Sequence, residues 1–371
     1  MNFDFTEDQY LLRDSVRGFL SDNWGTGRLR AARAHFDPNL WQGLCALGLQ
    51  TLLVPEAQGG AGLGMVDAVL SFEEFGRSLV PGPLVDTILI SEIIARFGTS
   101  AQRAKRLPEI ATGVARLAFA HAEAGTGHGP DAVAVTATPD AGGWRLRGRK
   151  ILVPAAEAAT TLAVSARLPD GRSALFLCNL PSPGVNLARN VSMDPDSMSC
   201  RVEFDGAPAE LLGENAPDAA LKRLLETSAV AASAQMIGIA GAALDMAVAY
   251  ARQRTQFDHP IGSFQAIKHK CADMLVATET ARSAAYYAAW AVAEDDQSLP
   301  LAVSVAKAAC GDACRLVCND CLQIHGGVGF TWEFDVHLYL KRGKLLEYSF
   351  GDARWHRERV ASLVIPPAGA A

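Results

Sequence analysis

The sequence predicts an α+β multidomain protein: an N-terminal α-helical domain over residues 1–113, a middle antiparallel β-domain over 114–213, and a C-terminal four-helix bundle over 218–371. Three observations carry this. Apolar residues recur at helical spacing in the first third of the chain. They alternate with period two in short runs through the middle. They return in long, alanine-rich stretches at the end.

Taken in order, Thr6 followed by Asp8 and Gln9 is a helix start, and Tyr10, Leu11, Val16, Phe19 and Leu20 continue the helix at the right spacing. Asn39 to Leu47, Met65 to Leu79 and Leu84 to Phe97 repeat the pattern, punctuated by Pro81, Gly82 and Pro83. The glycines of residues 59–64 make a loop; no strand precedes them, so a phosphate cradle is not indicated. In the middle zone, Ala132 to Thr138, Trp144 to Gly148 and Arg201 to Phe204 alternate, while Thr161 to Ser165 and Ala174 to Leu177 are short apolar runs. Turn residues at Pro139-Asp140, Pro169-Asp170-Gly171 and Pro181 to Gly184 separate them, as in an antiparallel barrel or sandwich. Leu224 to Gln253, Phe264 to Asp295 and Pro300 to Cys321 then read as long helices. Their small residues allow close packing, and so much apolar helix surface implies subunit contacts. The tail, residues 365–371, is expected to be flexible.

Composition excludes several classes. With 49% apolar residues over 371, a full core can be buried, and the length suits two or three domains. A formal net charge of −6 argues against nucleic acid or an anionic membrane as a partner. Mean hydropathy is high at +0.11, yet the richest stretch, Met236 to Ala251, is broken by Asp245, so no spanning helix is expected. The acidic N-terminus does not read as a signal peptide, and a cytoplasmic location is expected. Cys310, Cys314, Cys318 and Cys321 lie at helical spacing among apolar neighbours without a CxxC pair, which favours buried thiols over zinc.

Two segments carry chemistry. Arg254 ends a helix beside Phe257 and a Pro260-Ile261-Gly262 turn, where a guanidinium can grip a phosphate or make a surface ion pair. Gln323 offers a donor and an acceptor to a ribose or adenine; Gly326-Gly327 admits a close pyrophosphate or serves as a plain helix cap.

Arg252 to Gln265, Gln323 to Phe330 and the opening Phe5-Thr6-Glu7-Asp8-Gln9 together resemble the acyl-CoA dehydrogenase family, in register along the whole chain. The resemblance implies the acyl-CoA dehydrogenase fold and FAD as cofactor. It implies that Arg254, Phe257, Gln265, Gln323, Gly326 and Gly327 hold the pyrophosphate and adenosine of a flavin bound mainly by a neighbouring subunit. In the family that flavin takes a hydride from Cβ of an acyl-CoA while a Glu base removes the α-proton, and an acceptor such as electron-transfer flavoprotein reoxidises it.

The chain departs from the family at the reacting centre. The Tyr-Glu-Gly motif that usually carries the base falls on Ser349-Phe350-Gly351, so the base position is Phe350. The alternative position, early in the first bundle helix, falls on Ser228. The nearest carboxylates are Glu347, three residues before Phe350, and Glu226, about 200° round a helix from Ser228. The family's Thr-Glu-Pro and Ala-Gly-Ser-Asp become Ala120 to Gly127, with His121 in the middle of the change. Its Trp-Ile-Thr becomes Leu152-Val153-Pro154 after Lys150. His121 reads as a ligand, an acid or a structural histidine. Retained adenosine-side residues with lost ring-side residues resemble the smaller, non-catalytic subunit of the α2β2 acyl-CoA dehydrogenases that shorten steroid side chains in bacteria, as does Thr331 to Leu340. That resemblance implies a homologous catalytic partner. The rival readings are a self-sufficient homotetramer using Glu226 or Glu347, and a flavin-free scaffold.

Overall fold

The computed structural model describes residues 5–32, 35–213 and 216–365. The first four residues, and the tail beyond Ile365, lie outside them. Six helices come first: α1 Glu7–Asn23, α2 Thr26–Ala32, α3 Pro38–Ala46, α4 Met65–Arg77, α5 Leu84–Phe97 and α6 Ser100–Ala111. Seven strands follow: β1 Leu117–Ala120, β2 Thr136–Asp140, β3 Gly143–Val153, β4 Thr161–Arg167, β5 Ser173–Asn179, β6 Val185–Arg189 and β7 Cys200–Leu212. Helix α7 Pro217–Gln253 then leads through a small hairpin, β8 Thr255–Gln256 and β9 His259–Pro260, to α8 Gln265–Ala293, α9 Leu299–His325, α10 Val336–Tyr348 and α11 Ala353–Val364. Helices, then a β-domain, then a helical bundle is the fold class the sequence predicts.

Local chemistry explains the starts. Thr6 caps α1 reciprocally with Gln9, the two side chains satisfying each other's backbone amides. Thr99 and Gln102 do the same at α6, a helix the sequence reading passed over although the signature is the same. Asp37 caps α3, with Pro38 in the first turn.

Chain contacts group the residues into two compact units, 1–27, 65–80 and 229–371 in one, 28–64 and 81–228 in the other. In the second unit the seven strands form one sheet that closes on itself through β4, β2, β3, β7 and β5. Its interior is apolar, built on residues such as Leu146, Leu162, Phe176 and Val202. Most ladders are antiparallel, but β1 and β2 run parallel to β4. Period-two spacing reports strands and not which distant strand each one pairs with, so this mixture was not foreseen. β1 lies at the end of the sheet, and helix α5 completes its outer edge. Thr87 Oγ1 accepts from the Leu117 amide at 2.9 Å, and the Asp86 carboxylate accepts from the Phe119 amide at 2.8 Å.

In the first unit, α4 crosses α7 backbone against backbone. A Cβ on Gly76 would come within 2.6 Å of the Gln235 carbonyl carbon, and one on Gly238 within 2.7 Å of the Arg77 amide nitrogen. α7 is long and apolar enough to cross a membrane by composition, but 83% of its apolar window is buried inside the fold. Cys310, Cys314, Cys318 and Cys321 are all buried on α9, and burial pushes the Cys310 and Cys321 thiols up to about 12.

Candidate functional site: one end of the helical bundle

Helix α7 stops at Gln253, and Arg254 turns the chain. Its amide donates to the Tyr250 carbonyl at 2.8 Å and its carbonyl accepts from the Ile261 amide at 2.7 Å, which closes the β8–β9 hairpin. Phe257 and Asp258 form the hairpin's tip, both left-handed, with φ of 52° and 61°. The Arg254 side chain is exposed and has no ion pair or hydrogen bond among the described residues. Phe257 is 85% exposed, its ring edge-on to Phe264 with centroids 6.1 Å apart. Gln265, exposed, is the first residue of α8.

The second half of the site is the end of α9. Gln323 lies exposed in its last turn. Gly326 caps the helix, its amide donating to the Leu322 and Gln323 carbonyls, with φ 63° and ψ −143°. That backbone conformation is essentially restricted to glycine. A Cβ on Gly326 or Gly327 would meet nothing within 4 Å, so the surface beside them is open. The cap role and the open face coexist at one residue. The two halves are joined by a ring stack: Tyr250, one turn before Arg254, lies on His325, immediately before Gly326, with centroids 4.3 Å apart.

An unpaired guanidinium and an open double-glycine turn fit an anionic group such as a pyrophosphate. The loop of residues 59–64 does not: the amides of Gly60 and Gly62 already donate to the Pro55 and Val54 carbonyls.

The positions where a base would stand are different in kind. Phe350 is partly buried with φ 58°, in the turn between α10 and α11. The fully buried Lys307 donates from Nζ to the carbonyls of Glu347 and Gly351, 2.9 Å each, clamping that turn. Burial lowers this lysine to about 8. The buried Glu347 carboxylate is engaged by Lys344 at 2.9 Å and Arg315 at 3.6 Å. Ser228 is buried with its hydroxyl unpaired, and Glu226 is buried two residues earlier on α7.

Where the resemblance implies ring-side residues, the β-domain holds a buried polar cluster. Lys150 Nζ, fully buried, donates to Glu123 Oε1 at 2.6 Å, Ser165 Oγ at 2.8 Å and the His121 carbonyl at 3.0 Å. Glu123 also accepts from the amides of Ala134 and Val135, at 2.8 and 3.0 Å, and so ties both ends of the loop between β1 and β2. Ser165 Oγ lies 2.9 Å from His121 Nδ1. Burial, then the Lys150 charge, pushes His121 down to about 3. Burial likewise lowers Lys150 to about 8, against the pull of Glu123. A neutral, buried His121 bonded to Ser165 is the structural reading of that residue. Leu152 stands 51% exposed with φ 53°, next to a register shift in the β3–β7 ladder. The Glu123–Lys150 pair and the Tyr250–His325 stack were missed by sequence reasoning; the one available signal was that Lys150, unlike Arg145, Arg147 and Arg149, falls in register with the inward-facing Trp144 and Leu146 of β3.

Comparison with known proteins shows the family. Residues 6–114 match the family model for the acyl-CoA dehydrogenase N-terminal domain, and residues 218–365 that for the acyl-CoA dehydrogenase C-terminal domain. The chain is 32% identical over 344 residues to acyl-CoA dehydrogenase IpdE2 of Mycolicibacterium smegmatis, covering 91% of this chain and 92% of that protein. Among solved structures it is similar to a steroid ACAD variant, Tcur3481-Tcur3483, with TM-score 0.89 and 34% identity over 96% of this chain and 98% of that one. It is similar also to the ChsE4-ChsE5 complex from Mycobacterium tuberculosis, with TM-score 0.89 and 28% identity over 99% of this chain and 100% of that one. The chain belongs to the acyl-CoA dehydrogenase family, oxidoreductases that use FAD.

Proposed function

We propose that this chain is the accessory subunit of an FAD-dependent acyl-CoA dehydrogenase, working with a homologous catalytic subunit in an α2β2 assembly. The partner supplies the carboxylate base and most acyl-CoA contacts. This chain supplies the cradle for the nucleotide half of the flavin: Arg254, Phe257, Gln265, Gln323, Gly326 and Gly327. FAD, when bound, would supply the hydride acceptor for Cβ of the acyl-CoA, and the partner's carboxylate would take the α-proton. Arg254 balances pyrophosphate charge, Gln323 meets hydroxyl or amino groups of the adenosine, and the glycines keep side chains out of the way.

One observation carries the reading. Arg254 is exposed and unpaired, Gly326 and Gly327 are open on one side, and the Tyr250–His325 stack joins the two turns, while Phe350, which cannot take a proton, falls where the family resemblance puts the base. A base drawn from Glu347 is disfavoured, since its carboxylate already serves two cations. A flavin-free scaffold has no use for an unpaired arginine at that turn. Two of the similar structures, Tcur3481-Tcur3483 and ChsE4-ChsE5, pair two chains, and the first is a steroid ACAD, which supports a two-chain assembly and a bulky, steroid-type acyl-CoA. Electron-transfer flavoprotein is the proposed acceptor and the cytoplasm the proposed location.

The test is to co-express the chain with its candidate partner, purify the complex and count flavins per chain. About one flavin for every two chains is expected, and Arg254→Ala should lose FAD on gel filtration. Full FAD retention by that variant, or dye reduction with an acyl-CoA by this chain alone, would defeat the proposal.

A further inference from the structure

The cradle end of the bundle holds a ring cluster without a role so far. Tyr250 in the last turn of α7, His325 at the end of α9 and Phe334 in the turn that follows pack ring on ring. Tyr250 and His325 stack at 4.3 Å and 22°, His325 meets Phe334 edge-on at 5.7 Å, and Phe334 meets Tyr250 edge-on at 5.9 Å. Such pairs prefer defined offsets and angles, so they fix direction as well as fill space. His325 Nδ1 donates to the Cys321 carbonyl at 2.8 Å, which sets the ring's orientation on its own helix. Burial keeps this imidazole below its usual range, so at neutral pH it is an uncharged, flat partner. Phe334 is itself anchored, because the next residue, Asp335, accepts from Thr26 Oγ1 at 2.6 Å.

Two of the rings adjoin cradle residues. The Tyr250 carbonyl receives the Arg254 amide. His325 lies between Gln323 and the Gly326 cap. The stack is therefore a side-chain contact between the turn that carries the cation and the turn that carries the glycines.

We propose that His325 is a positioning residue for the flavin nucleotide: wedged between Tyr250 and Phe334, it sets Arg254 against the double-glycine turn. The inference rests on the cradle reading above, and it acts through Arg254 without touching the flavin.

The experiment measures FAD release from the assembled complex, as recovery of flavin fluorescence after dilution, with melting temperature recorded for every variant. His325→Ala should speed release about tenfold, the order expected when one charge-assisted contact is misaligned. His325→Phe keeps a stacking ring and should stay within about twofold of the parent. In an Arg254→Ala background, His325→Ala should add nothing, because both changes remove the same interaction. Tyr250→Leu replaces His325→Ala if the latter fails to fold. A fast Arg254→Ala with unchanged release for His325→Ala, whatever its melting temperature, overturns the inference and leaves the cradle standing. Multiplying effects in the double variant overturn it too, since His325 would then act independently of the arginine. Unchanged release for Arg254→Ala overturns the cradle, and this inference with it.

Discussion

The glycine lock between α4 and α7 gives a prediction with an internal control. Gly238→Ala places a Cβ that overlaps the Glu73 carbonyl oxygen and lies 2.7 Å from the Arg77 amide nitrogen. Both neighbours are helix backbone, which cannot swing aside as a side chain can. Restoring ordinary contact requires the helices to part by roughly 1 Å, enough to forfeit a quarter to a half of the dispersion attraction along the seam. Overpacking of this kind costs about 3 kcal/mol, and alanine's better helix propensity returns about 1. The net loss is about 2 kcal/mol, a fall of roughly 4–8 °C in melting temperature for a unit of this size. Gly241, three residues on, differs: its Cβ would meet only Arg77 Nη1 at 3.4 Å and Arg282 Nη2 at 3.7 Å. Gly241→Ala should therefore be neutral or stabilising by up to about 1 kcal/mol. Differential scanning calorimetry of both variants is the assay. If Gly238→Ala melts with the parent, or Gly241→Ala is the worse of the two, the close approach is not what holds α7.

Four further outcomes follow from buried polar groups and the cap. Glu123→Ala leaves the Lys150 ammonium buried without its carboxylate and should cost about 3–5 kcal/mol, read by chemical denaturation. Lys150 and Lys307 are both lowered to about 8, so between there and the unfolded lysine value near 10.4 the folded state holds fewer protons than the unfolded one. Stability should rise with pH across that window, and Lys307→Met should flatten the rise. His121, lowered to about 3, gives the same sign in acid: stability falls as pH drops from the ordinary histidine value toward 3, and His121→Leu should blunt that fall in denaturation series at stepped pH. Gly326→Ala, forced into a glycine-only conformation, should lose about 1–3 kcal/mol and release FAD faster than the parent.

The sequence shows much of this fold because helix signals are local. Thr6 and Gln9 announce α1 within four residues, and the long alanine-rich stretches announce α7 to α9 by length. β1 escaped notice because its four residues are all buried and do not alternate. Its parallel partner lies some forty residues on, a distance no local pattern reports. At the site, Arg254 and the double glycine were legible as residue types suited to phosphate, and Gln323 as one suited to a ribose or adenine. What could not be read was their support. Tyr250, His325 and Phe334 come together only once two helices and a turn have folded, and Glu123 meets Lys150 only across a closed sheet.

The outer margin of β1 has one more consequence. Asp86 and Thr87 occupy the amides that an incoming strand would have to capture. Desolvation pushes the Asp86 carboxyl up to about 7, and either protonation state retains an oxygen to receive the Phe119 amide. Strand-to-strand recruitment at that border is thus denied to foreign polypeptides.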